Sequence, residues 1–435
     1  MIRHLVSIAL AGLLATGLAY RVHAQGIPPS RTGTFALTNA RIVTVSGGVI
    51  ERGTLLIQNG KIAALGPNVT IPSGAEVIDC SGLSIYPGLI NSYTQVGLIE
   101  IGQVPETRDE NEVGNYNPHM LALTAINPAS THIPVTRVNG VTTVISAPTG
   151  GLLSGQATLI NLHGYTPEQM AVRPSVGVVL NFPSMGRRSL FQQQSQEERR
   201  RQYEQQLRQL NELWRKAVVY NRAWEAYERN PSGEKPLWDQ RLEALRPVVR
   251  GELPFIINVN AERDILAAIR WVKENQIKAI FAGVAEGWRV ADSLAQAGIP
   301  CIVGPVLAMP TRPYDRYDRA YANAALLARA GVKIAIGTFD YYNARNLAHH
   351  AGMAAAFGLN REEALKAITL YPAQIWGVAD RMGSLEVGKD ATLIVTDGDP
   401  LEIRTQIRYL FINGWMVPLV SRHTQLWEEY RNRAF

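Results

Sequence analysis

Two cysteines in 435 residues, Cys80 and Cys301, are too few for a disulfide framework or a four-thiolate zinc site. Both lie in apolar, strand-like stretches, so buried free thiols are the reading, with a single bridge between them as the alternative. Charge is sparse too, at 18% of residues against 46% hydrophobic, which excludes a disordered chain. The 37 glycines and 24 prolines follow no fixed period, so collagen and simple solenoids are excluded. The N-terminal apolar run, Leu5 to Leu18, falls short of the roughly 20 residues that span a bilayer. It follows Arg3 and His4 and leads to Val22-His23-Ala24, so residues 1–24 read as a signal peptide cut before Gln25, with a short uncleaved anchor as the alternative. The mature chain is expected to be exported to a bacterial periplasm and not to span the membrane after cleavage.

Charge of one sign is confined to one place. The stretch Arg187 to Arg250 holds 14 basic and 9 acidic residues, nearly all of the chain's net +6. Those cations alternate with Glu and Gln along a helix, the pattern of a solvated face, so nucleic acid is not an expected partner.

What is present is a change of pattern along the chain. Short strands come first: Phe35 to Leu37, Arg41 to Val45, Thr54 to Gln58, Lys61 to Leu65 and Ala75 to Ile78, with Asn59-Gly60 as a type I′ hairpin turn. From Ile85 onward apolar strands alternate with amphipathic helices. The strands include Val141 to Ser146, Val176 to Leu180, Phe255 to Val259, Ala279 to Ala282, Cys301 to Gly304 and Lys333 to Gly337. Such units argue a parallel sheet covered on both faces, and about eight of them fit a closed (β/α)8 TIM-type barrel. Tyr203, Leu207, Leu210, Trp214, Ala217, Tyr220, Trp224 and Tyr227 recur at spacings of three and four, predicting a helix with one apolar face. With a second helix from about Leu237 to Val249, it makes a helical hairpin inserted at about 190–250 and expected to fold over one end of the barrel. Strands return after Gly383.

These stretches resemble the amidohydrolase superfamily. Val77-Ile78-Asp79-Cys80-Ser81-Gly82 and Tyr86-Pro87-Gly88-Leu89-Ile90-Asn91 are similar to its entry into the barrel. Ala364 to Thr369, Pro372-Ala373, Gly383 to Ala391 and Gly398-Asp399-Pro400-Leu401 are similar to its closing signature. Gly97 to Gly102, Asn139 to Val144 and Leu152 to Gln156 resemble loops of exported members near the imidazolonepropionase and dipeptidase branches. The resemblance implies a composite β-sandwich built from residues 25–85 and 386–435 around a barrel over 86–385. It also implies descent from metal-dependent hydrolases of carbon–nitrogen bonds other than peptide bonds.

In that family the metals sit on a His-x-His pair of the first barrel strand, on histidines of the fifth and sixth, and on an Asp of the eighth. Laid on this sequence, the first pair falls on Tyr93 and Gln95, the fifth-strand position near Asn258 and the sixth near Gly283. Asp340 is the one matching acid and is carried over as the catalytic candidate, with Tyr93, Gln95 and Asn258 as substrate-binding candidates and no assigned metal ligand. Histidine spacing offers no replacement: none forms His-x-His or His-x-x-x-His, and adjacent His349 and His350 point to different helix faces. His119 and His132 could only improvise a site, and Gly150-Gly151 with Ser154-Gly155 reads as a tight turn. Two functions stay open. One is an altered hydrolase with a single weakly held zinc near Asp340. The other, favoured by the ligand count, is a non-catalytic barrel that takes a small molecule at its mouth, as a homo-oligomer or paired with an active relative.

Overall fold

Among the described residues two eight-stranded sheets carry the fold. The computed structural model describes residues 29–185, 195–431 and 433. The leader read from residues 1–24 lies outside them, as does the start of the insertion.

The chain opens with β1 (Phe35–Val43), β2 (Val49–Gln58), β3 (Lys61–Gly66), β4 (Glu76–Asp79) and β5 (Ser84–Pro87). The barrel follows as β6 (Leu89–Thr94), β7 (Val141–Ser146), β8 (Leu153–Asn161), β9 (Ala171–Asn181), β10 (Phe255–Val259), β11 (Ala279–Gly283), β12 (Cys301–Val303) and β13 (Ile334–Ile336). It ends with β14 (Leu393–Thr396), β15 (Ile407–Ile412) and β16 (Trp415–Met416). The first sheet runs β16-β15-β14-β5-β1-β2-β3, with β4 beside β1, so both ends of the chain build one composite unit. Asn59 and Gly60 take φ of 51° and 76°, the left-handed pair that a type I′ turn between β2 and β3 demands. The two early strand segments expected between Phe35 and Val45 merge into β1, interrupted by a register shift at Asn39, whose φ is 58°.

The second sheet keeps chain order from β6 to β13. Seven strands are parallel and β8 is antiparallel to both neighbours, which departs from the all-parallel sheet expected from the sequence. The cause is the connection. Residues 147–152 are too few for a crossover, which takes a dozen or more, so the chain turns back at Gly150 and Gly151 (φ 83° and 60°). The barrel closes without a direct β13–β6 ladder. Phe339 N donates to Tyr93 O (2.9 Å) above, and Ile90 N donates to Ile368 O (2.8 Å) below. Asn91, fully buried, fastens the seam by donating to Thr338 Oγ1 (2.8 Å) and accepting from Thr338 N (3.1 Å).

Alternation along each strand sorts the core. Ile90, Ile145, Leu159, Val179, Ile256, Ile280 and Ile302 fill the barrel interior with Trp376 and Met382. Phe255, Ile257, Phe281 and Val303 face outward to the helices, and Phe35, Leu37, Ile57, Leu393 and Phe411 pack the composite sheet. Cys80 and Cys301 are buried free thiols.

The insertion forms a helix at Gln196–Arg229, started by a Ser195/Glu198 capping box, and a second at Gln240–Val249 capped by Asp239. Its apolar stripe lies against the flank of the barrel and does not cover an end. Trp214 is buried against Phe255 and Trp271, while Trp224 is only half-buried beneath Arg246 and Lys235. The flank wins because Phe255 and the Glu262–Glu274 helix leave an apolar surface there that one helix can cover.

Candidate functional site

At the C-terminal ends of the parallel strands the structure brings Tyr93, Gln95, Asn258 and Gly283 together around one cavity of about 290 Å³. Thr149, Asn260, Ala282, Gly304, Pro305 and Phe339 also line it, so among the described residues its wall holds no carboxylate, imidazole or thiol. Each polar residue stands where an apolar strand runs out. Asn181 ends β9 and Asn258 nearly ends β10, and the parallel register sets the two amides side by side.

A chain of hydrogen bonds fixes them. Asn258 Nδ2 donates to Tyr93 Oη (2.9 Å) and to Asn181 Oδ1 (2.8 Å). Asn181 Nδ2 in turn donates to Gly151 O (2.8 Å) and Ser154 Oγ (3.0 Å), tying the amides to the β7–β8 turn. Tyr93 is stacked on Phe339 with ring centroids 4.5 Å apart. Burial pushes its phenol up to about 12, only partly offset by Asn258, so the group stays neutral. Tyr93 Oη accepts from Asn258, and among the described residues nothing accepts its own proton. The side chain of Gln95 is buried with no protein partner among the described residues, and Asn258 Oδ1 is likewise uncommitted. The cavity therefore offers neutral donors and acceptors beside an aromatic pair.

Asp340 stands apart. Its Oδ1 accepts from Tyr342 N (2.8 Å) and its Oδ2 from Asn343 Nδ2 (3.0 Å), closing the loop after β13, and it does not line the cavity. His132 spends its Nε2 on Glu100 O (2.9 Å). His350 is buried and accepts from Val306 N through Nδ1 (3.3 Å); burial, reinforced by His349, lowers it to about 4, so it is neutral. Among the described residues no three His, Cys, Asp or Glu side chains are grouped closely enough to hold a metal ion, and no helix is long and apolar enough to cross a membrane.

The charges lie around the rim. Glu286, 1% exposed, accepts from Arg312 Nε (2.8 Å) and Nη2 (2.6 Å), from Glu262 N (2.9 Å) and from Thr311 Oγ1 (3.1 Å). Burial pushes its carboxyl upward, but these donors outweigh it and hold it at about 2. Arg289 pairs with Asp315 while its guanidinium stacks 4.1 Å from the Trp288 ring centroid. This network fastens the loop after β12 beside the mouth.

Known proteins share this fold. An amidohydrolase of Thermotoga maritima superposes with a TM-score of 0.77 at 26% identity, over 89% of this chain and all of that one. The amidohydrolase family model matches residues 289–421. The likeness to the amidohydrolase family thus holds in sequence over that stretch and in fold over most of the chain. Amidohydrolase tasK of Hapsidospora irregularis is 22% identical over 393 residues, which are 84% of this chain and 39% of that protein. An imidazolonepropionase of Vibrio cholerae is 40% identical over 65 residues, 14% of this chain and 16% of its own length. The chain thus spans well under half of these curated relatives in alignment.

Within this amidohydrolase fold, Asn181, Phe339 and Asn260 escaped the sequence reading. Asn181 carried a signal, since it follows the apolar run Val176 to Leu180 as Asn258 follows Phe255 to Ile257. Phe339 carried none, because its approach to Tyr93 depends on how the barrel closes.

Proposed function

We propose that this amidohydrolase-like chain binds a small organic molecule at its barrel mouth and does so without the family's binuclear metal centre. The observation that carries the reading is the Tyr93–Asn258–Asn181 hydrogen-bonded chain. It spans the strand positions at which the family resemblance would put metal-binding imidazoles. Two divalent cations would bring four positive charges to a wall that, among the described residues, has no anion and no imidazole, and a neutral phenol and amides do not offset their dehydration. The lining does not fit that group. It does suit an uncharged polar ligand body, held by Tyr93, Gln95 and Asn258 and stacked near Phe339. Asp340 then serves to shape its own loop. The leader-like residues 1–24 make export part of the same proposal.

The test is calorimetric titration of the full chain, dialysed against chelator, with benzamide as an uncharged aromatic amide. Binding is expected to survive chelation and to weaken about fivefold in Asn258→Ala, the loss of roughly one hydrogen bond. Binding that appears only after zinc is added back would overturn the proposal.

A further inference from the structure

Beside the mouth cavity lies a second one of about 140 Å³, which shares Asn258 and Asn260 with it. Its wall includes Phe182, Ser184 and Asp264. Asp264 occupies the first turn of the Glu262–Glu274 helix and is only 4% exposed. Its Oδ2 accepts from Ser184 Oγ (2.5 Å), while Oδ1 has no hydrogen-bond partner among the described residues. Nor does any described cation form an ion pair with it, although its neighbour Arg263 lies over the Tyr203 ring. A buried carboxylate with one oxygen open to a cavity is costly unless something donates to it. A tether to Ser184 alone would use one oxygen and need no cavity.

We propose that this second cavity is the cation subsite of the mouth: Asp264 receives the ammonium group of an organic amine whose uncharged body occupies the Tyr93–Asn258 cavity. The inference rests on the preceding reading, that a small molecule enters the mouth without metals, and adds the ligand's charge and the atom that meets it. Three observations converge on an amine. Among the described residues Asp264 is the only charged one in the two cavity walls. The Phe182 ring beside it favours a cation over water. Asn258, with Oδ1 uncommitted at the junction, offers a further acceptor to an N–H.

Asp264 also reports its own occupancy. Burial raises its carboxyl above the ordinary range and Glu286 adds to that, while Ser184 and Arg263 pull it down; Tyr203 faces it from the long helix. An arriving ammonium favours the ionised form, so amine binding strengthens as pH rises through that titration and releases a fraction of a proton.

The experiment titrates the full chain with benzylamine and with benzamide at neutral pH. Benzylamine, a cation there, is expected to bind about tenfold tighter, the gain of one charge-assisted hydrogen bond. Asp264→Asn should abolish the preference and leave benzamide binding in place, whereas Ser184→Ala, which keeps the carboxylate, should retain it. Equal affinities in the unaltered protein, or an unchanged preference in a folded Asp264→Asn, would overturn the subsite while leaving the mouth reading intact. Failure of both probes would overturn both. The unaltered protein decides the matter by itself should Asp264→Asn not fold.

Discussion

The mouth and its rim lie a few residues apart on the same strand ends and use opposite chemistry. At the rim every named charge is answered: Glu286 by Arg312, Asp315 by Arg289, and Arg312 further by Glu262 (3.1 Å). In the mouth the strand-end positions carry a phenol, amides and a glycine, and in the adjoining cavity Oδ1 of Asp264 has no partner among the described residues. The rim resembles a structural clamp, in which charges are paired to hold a loop. The mouth resembles a binding site, in which donors and acceptors are left over. We take uncommitted polar atoms, and not charge as such, as the mark of the proposed binding end of this barrel.

Breaking the rim gives the largest expected effect. Arg312→Ala removes two charge-assisted hydrogen bonds from the buried Glu286 carboxylate and should destabilise the protein by about 3 kcal/mol in urea unfolding, with new protease cleavage within 304–318. Because Glu286 is held near 2 against an ordinary 4.5, its contribution is full above about 4.5 and is lost as the pH falls toward 2. The unaltered chain should therefore lose stability over that acid range, and Glu286→Gln should flatten that part of the curve. An equal acid response in Glu286→Gln would show that the clamp is not the group that titrates.

Next comes the mouth itself. Tyr93→Phe keeps the stack on Phe339 but leaves an Asn258 N–H unmatched, a cost of about 1 kcal/mol in stability and about fivefold in benzamide affinity. Installing histidines through Tyr93→His with Gln95→His should raise zinc affinity, read by calorimetry, without restoring hydrolysis, since Asn258 and Gly283 still supply no imidazole. The smallest effect belongs to Asp340. Asp340→Ala opens only its own turn, so about 0.5–1 kcal/mol of stability should go while benzamide affinity stays within error. A large loss of binding there would move the mouth's boundary to include the loop after β13.

Much of this was legible before any coordinates. Periodicity placed β7, β10 and β11 almost to the residue because those strands are buried on both faces and read as unbroken apolar runs. It missed β8, since Leu153-Ser154-Gly155-Gln156 opens with small and polar residues that suit a strand only where Asn181 and the Gly150 turn supply partners. Tyr93, Gln95, Asn258 and Gly283 were found by position in a family pattern, and their meeting around one cavity follows from strand order. Asp264 was invisible for a different reason. A carboxylate in a helix's first turn is ordinary in sequence, and only the closed packing of Ser184 and Phe182 makes its open oxygen unusual.

Whether the mouth binds its ligand without the family's metals is decided by elemental analysis of the unaltered, full-length protein after exhaustive dialysis. Less than about 0.1 zinc per chain is expected, with benzamide binding unaffected by chelator. About two tightly held zinc ions per chain, with binding or amide hydrolysis lost on chelation, would contradict metal-free binding.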